Sequence, residues 1–158
     1  MEANDVLLNK VAQEIFEQTA YLTPRPEGTP SMPKRPDAMA RATVNFTGPF
    51  PGILQLEVPS DLLPILASNM LGEDETSPEA ARQGQDALGE LANIICGNLL
   101  ARMAGPEPIF HLDAPTIENP ARPVPDVPAN KYRAYTTLSL EIGWASLSIA
   151  LNPVETPA

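Results

Sequence analysis

Residues 77–106 read SPEAARQGQDALGELANIICGNLLARMAGP, and their periodicity decides the fold. Ser77-Pro78 has the form of an N-cap followed by proline at the first helical position. Gly105-Pro106 is a helix stop. Between them, at about 100° per residue, Leu88, Leu91, Ala92, Ile95 and Leu99 fall on one apolar stripe. The spacing predicts a helix from Ser77 to about Met103, the longest element of the chain, with that stripe facing the core. Asp86, Glu90 and Asn93 fall on a second stripe at i, i+4 and i+7; Gly97 continues it and Gly89 lies beside it. A glycine inside a helix costs roughly 1 kcal/mol, and Gly84, Gly89 and Gly97 all stand here. Such a run of glycines implies that another helix or a partner protein comes close to this one.

Outward from this helix, Leu7, Leu8, Val11, Ile15, Phe16 and Leu22 keep a 3.6-residue period and predict a helix over 5–22, with Asn4 as N-cap. Thr23 to Asp37 holds five prolines and reads as an extended connection. Ala42, Val44 and Phe46 alternate with Arg41, Thr43, Asn45 and Thr47, and Leu54, Leu56 and Val58 alternate with Gln55 and Glu57. These are two half-buried strands of a hairpin turned at 48–52. A short helix follows over 60–71, delayed by Pro64 and stopped by Gly72. Glu73-Asp74-Glu75 reads as an exposed acidic loop. Residues 106–130 carry seven prolines and read as loop, with a short strand at 109–112. Strands at 132–142 and 144–151 meet at Gly143. The class is α+β: one mostly antiparallel sheet with two long helices and one short helix packed on it.

The 158 residues suit a single domain, with a core over about 40–151, a proline-rich connection at 23–37 and a frayed tail at 152–158. Ten Lys+Arg against twenty Asp+Glu give a net charge of -10, which argues against nucleic-acid or anionic-membrane surfaces. No apolar run approaches the roughly 20 residues of a membrane span, and the acidic start is unlike a signal peptide, so the expected location is cytoplasmic. One cysteine, Cys96, leaves no internal disulfide and no cysteine-based zinc site; its place beside the apolar stripe makes it a small core residue. The lone histidine, His111, has no evident catalytic partner. Trp144 reads as packing at a hairpin turn, and Asn98 as a side chain that satisfies a structural hydrogen bond. The PxxP spacings at 33/36, 120/123 and 125/128 arise easily at this proline density and read as plain loop.

The pattern Asp86-x-x-x-Glu90-x-x-Asn93, set in Leu88-Gly89-Glu90-Leu91-Ala92-Asn93-Ile94-Ile95-Cys96-Gly97-Asn98, resembles the signature helix of the CheC/CheX/FliY family of chemotaxis phosphatases. A bare match to the motif arises by chance in on the order of one chain in twenty. The flanks add to it: Val44-Asn45-Phe46-Thr47-Gly48, Ala67-Ser68-Asn69-Met70-Leu71-Gly72 and Ala114-Pro115-Thr116-Ile117 resemble further family segments, in order, over roughly 40–150. With one copy of the motif, the chain is most similar to the CheX branch.

The resemblance implies hydrolysis of the aspartyl phosphate on a CheY-like response regulator. Asn93 would position the attacking water and Glu90 would engage the regulator's active-site lysine. Asp86, Gly89 and Gly97 would contact the partner. The chain would need no metal or cofactor of its own, since Mg²⁺ would sit on the regulator. Two features depart from the family pattern: the proline-rich spans 24–37 and 119–130, which could cover a sheet edge used in a homodimer. Two other readings stay open. In one, the same helix docks a regulator or motor-switch protein without catalysis. In the other, Glu90 and Asn93 are buried against another segment as part of a scaffold.

Overall fold

The computed structural model describes residues 4–25, 38–122 and 132–151. The expected tail at 152–158, the prolines at 33 and 36, and most of the 119–130 span lie outside them. Three helices, α1 (Asp5–Thr19), α2 (Leu63–Leu71, led by a 3₁₀ turn at Ser60–Leu62) and α3 (Ala80–Ala104), accompany six strands. The strands are β1 (Met39–Thr47), β2 (Gly52–Pro59), β3 (His111–Leu112), β4 (Thr116–Glu118), β5 (Tyr132–Ser139) and β6 (Trp144–Leu151). All pairings are antiparallel. The order is β3-β1-β2-β6-β5, with β4 on the same edge of β1 as β3. The α+β class expected from the sequence is the class found.

One face of the sheet, with Ala42, Val44, Phe46, Leu54, Leu56, Val58, Leu138, Leu147 and Ile149 fully or almost fully buried, meets Leu8, Val11 and Phe16 of α1 and Leu88, Leu91, Ile95 and Leu99 of α3. This is an almost wholly aliphatic core, as the shortage of aromatic residues requires. Cys96 lies in it as expected, and Trp144, at the turn between β5 and β6, is buried.

Local chemistry explains the element ends. The Asn4 side chain accepts from the Val6 and Leu7 N–H groups. α1 stops at Thr19, short of the expected 22, because Tyr21 takes a left-handed φ of 55° and the Phe16 carbonyl accepts from both Ala20 and Leu22 N–H. Pro64 sits in the first turn of α2, so that helix begins late, as read. Gly72 closes it at φ 73°. α3 starts three residues after Ser77: the Ser77 carbonyl accepts from Ala80 N–H and its hydroxyl from Glu79 N–H, which makes a separate turn ahead of the helix. β4 falls inside a stretch read as loop; it is short, and its partner β1 lies far away in sequence. The expected strand at 132–142 ends at Ser139, and Ile142 is half exposed in the turn.

The sheet's outer face holds an unexpected buried ion pair. Arg41 and Glu57, read from alternation as solvent-facing, are only 3% and 6% exposed. They oppose one another across β1 and β2, and Glu118 opposes Arg41 from β4. Arg41 Nε donates to Glu57 Oε1 at 2.7 Å, Nη1 reaches Glu118 Oε2 at 3.3 Å, and Nη2 donates to the Arg122 carbonyl. The outer edge of β5 is occupied by the chain itself. Tyr135 N–H donates to the Asp5 carboxylate (2.8 Å), the Thr137 carbonyl accepts from Asn9, and residues 23–25 pair with 139–141 through Arg25 N–H to Ser139 O and Glu141 N–H to Thr23 O, both 2.9 Å. The start of the proline-rich connection thus lies along a sheet edge.

Candidate functional site on α3

α3 is wedged between α1, α2 and β1, and its buried residues follow the expected stripe and widen it: Ala87, Leu88, Leu91, Ala92, Ile95, Cys96, Leu99 and Leu100. Asp86 and Glu90 are exposed, and Asn93 is half-buried. Asp86 stands one turn from Arg82, whose guanidinium is held above its ordinary pKa first by its hydrogen bond to Glu79 and in smaller part by Asp86. Glu90 has no hydrogen bond or ion pair among the described residues. A carboxylate in water with no partner is an ordinary solvated group, but its neighbour is not. Asn93 Oδ1 is fully covered and accepts no hydrogen bond. Leaving a buried acceptor unmade costs about 1–3 kcal/mol, and most buried polar side-chain atoms are paired.

Asn93 is therefore set deeper than the sequence suggests. At its angle it borders the apolar stripe, and helical side chains lean toward the N-terminus. A side chain so placed leans over the turn containing Gly89 and Glu90. Asn98, one face further round, donates to the Ile94 carbonyl at 2.8 Å, the structural bond expected of it.

The three glycines separate into two kinds. A Cβ on Gly84 would lie 2.2 Å from the Leu63 carbonyl oxygen, so α2 packs there. A Cβ on Gly89 would meet Pro115 Cγ at 2.9 Å and Ile117 Cδ1 at 3.4 Å. Gly89 is buried; what approaches it is this chain's own β4 segment, which corrects the expectation of a partner contact there. That contact is tertiary, and the only sequence sign of it is an interior glycine. Gly97 has nothing within 4 Å of the position a Cβ would take. Its open space adjoins the Asn93 turn.

Burial pushes the Cys96 thiol up to about 12, so it is no nucleophile near neutral pH. Among the described residues no group of three or more His, Cys, Asp or Glu is arranged to hold a metal ion, and no helix is long and apolar enough to cross a membrane.

A family model described as "Chemotaxis phosphatase CheX" matches residues 40–122, from β1 to just beyond β4 and including all of α3. The chain belongs to the CheX family. Solved structures share the CheX fold along nearly the whole chain. CheX of Borrelia burgdorferi, solved as a CheX–CheY–BeF₃–Mg²⁺ complex, superposes with a TM-score of 0.71 at 16% identity, covering 94% of this chain and 98% of that one. CheX of Vibrio vulnificus gives 0.69 at 17%, covering 93% and 95%. A CheC-like superfamily protein of a Shewanella species gives 0.67 at 22%, covering 95% and 99%. Among curated proteins there is no match.

Proposed function

We propose that this chain hydrolyses the aspartyl phosphate of a CheY-like response regulator, presenting α3 to the regulator's phosphorylated site. The observation that carries this reading is the juxtaposition, one turn apart on one rigid helix, of an exposed carboxylate without a partner and a carboxamide whose oxygen accepts no hydrogen bond. The scaffold reading needs both Glu90 and Asn93 buried, and Glu90 is exposed. Membership of a phosphatase family and a fold shared with a protein captured in complex with CheY support the choice of partner.

Phosphoryl transfer is governed by positioning and electrostatics. Asn93 offers both a carbonyl acceptor and an N–H donor, so it can hold a water in line with the P–O bond without acting as a strong base. Its terminal torsion is soft, and no hydrogen bond to its oxygen has to break when the amide turns toward that water. The water oxygen bonds to phosphorus as the bond to the regulator's carboxylate breaks, releasing inorganic phosphate and a free aspartate. Glu90, three residues earlier, pairs with the regulator's active-site lysine and sets the register of insertion. Mg²⁺ held by the regulator offsets charge on the phosphoryl oxygens. Asp86 borders the interface, and Gly97 leaves space for the regulator's backbone. A net charge of -10 gives no long-range attraction to an acidic regulator site, so recognition is local. The compartment is that of the regulator, the cytoplasm.

The test is phosphate release from purified CheY-like regulators of the same cell, phosphorylated with acetyl phosphate, in the presence of wild type, Asn93→Ala or Glu90→Ala. Wild type should accelerate release, Asn93→Ala should lose on the order of 10²-fold, and Glu90→Ala should lose less, largely in half-saturating concentration. Equal release by all three removes the catalytic assignment. Tight binding without acceleration would make α3 a docking element only.

A further inference from the structure

The β4 segment does more than close the sheet edge. Asp113 N–H donates to the Asn45 carbonyl at 2.9 Å, and Thr116, Ile117 and Glu118 pair with Thr43, Ala42 and Arg41. Pro115 is thus fixed on both sides by pairing to β1. Its ring comes down on Gly89, where even a methyl group would stand 2.9 Å from Cγ. Gly89 immediately precedes Glu90 and lies one turn before Asn93. A helical side chain at position 93 leans over this same turn, and the Asn93 oxygen is covered without a polar partner. A proline ring at that turn would exclude water and donate nothing, and so would leave an acceptor buried and unsatisfied at once.

We propose that Pro115 is a positioning residue for Asn93: its ring, pressed onto Gly89, forms the apolar wall against which the carboxamide stands. The glycine at 89 is required because only a missing side chain lets the ring come this low. With the wall in place, the amide is kept from solvent and from alternative hydrogen bonds, and it meets the regulator unengaged. The catalytic value of this arrangement rests on the function proposed above; the arrangement itself does not.

The experiment uses the full chain as wild type, Pro115→Ala, Gly89→Ala and the double variant Gly89→Ala/Pro115→Ala. The first readout is the Asn93 side-chain amide signal in ¹H–¹⁵N spectra, assigned by its loss in Asn93→Ala. Pro115→Ala should move that signal to the shifts of a solvated asparagine. It should also lower the maximal dephosphorylation rate on the order of tenfold, the kind of loss a misplaced group brings, with half-saturation by phosphorylated regulator unchanged. Gly89→Ala should act similarly by lifting the ring. In the double variant Cγ is gone and the new methyl group stands 3.4 Å from the residue-115 Cβ, an ordinary contact, so the signal and the rate should return toward wild type. An Asn93 signal unmoved by Pro115→Ala overturns the inference, as does a change confined to half-saturation. A moved signal in a chain whose wild type does not accelerate phosphate release leaves the positioning in place and removes the phosphatase reading instead.

Discussion

Arg41 and Asn93 are both polar side chains drawn into the surface of a small aliphatic protein, and they stand in opposite conditions. Arg41 donates to Glu57, Glu118 and the Arg122 carbonyl, so a charged group on the outer face of the sheet ties three strands and the chain beyond them. Asn93 Oδ1 is equally shut from water and accepts nothing. A cluster whose members are satisfied holds a structure together. A single buried acceptor left open adds no stability and calls for an explanation of its own. On the function proposed above, the contrast separates the half of the molecule that is built to stay from the face that would meet a partner.

The largest effect should come from the satisfied side. Arg41→Met takes away the cation 2.7 Å from a carboxylate that is itself buried. Removing one partner of a buried pair costs about 3–5 kcal/mol, and urea denaturation should show a loss of that size. Dephosphorylation per folded molecule should be unchanged, because Arg41 lies on the far face of the sheet from α3. A variant as stable as wild type would mean that the ladder is incidental.

Asn93→Ala should give the inverse split. Its rate loss of about 10²-fold should come with unchanged or slightly raised stability, since alanine is the better helix former by a few tenths of a kcal/mol and an unsatisfied acceptor disappears. If the same denaturation assay showed Asn93→Ala to be strongly destabilised, the amide would be holding the fold, and the contrast with Arg41 would collapse.

What was readable in the sequence divides along the same line. The α3 stripe, the late start at Pro64, the stop at Gly72 and the 144–151 strand are written in neighbouring residues, by 3.6- or 2-residue period and by the backbone limits of proline and glycine. The motif residues Asp86, Glu90 and Asn93 were placed on one helix by spacing alone. The burial of Arg41 is not legible in sequence, because its partners Glu57 and Glu118 are distant along the chain and alternation says only that it faces away from Ala42. β4 is not legible either, because a short edge strand carries almost no periodic signal. The depth of Asn93 is not legible because spacing gives a residue's angle on the helix and not what packs over it. Tyr21, which ends α1 at a positive φ, lacks the glycine that usually announces such a turn.

The glycines give the next test. Gly84→Ala would put a methyl group 2.2 Å from the Leu63 carbonyl oxygen and 2.7 Å from Leu63 Cβ. These atoms belong to the backbone of α2 and its root, so the helix itself must move. A cost of about 1–3 kcal/mol is the ordinary penalty for overpacking, visible as a lowered Tm; a neutral result would mean that α2 shifts freely and does not brace α3.

Gly97→Ala is the smallest change and the one that bears most directly on the face proposed to meet a partner. The new methyl group meets nothing within 4 Å, and a helix-interior glycine replaced by alanine gains about 0.5–1 kcal/mol. Taken alone, the chain should become more stable, with a Tm rise of a few degrees. A residue that costs stability and whose missing side chain would meet no other element among the described residues fits a surface on which another backbone must come close. Binding to the phosphorylated regulator should accordingly weaken several-fold in Gly97→Ala while the rate at saturation stays near wild type, because Asn93 and Glu90 are untouched. The two readouts should therefore move in opposite directions, stability up and affinity down. Gly97→Ala that binds the regulator as tightly as wild type would place the contact elsewhere on α3, nearer Asp86, and leave the glycine without a reason in the partner.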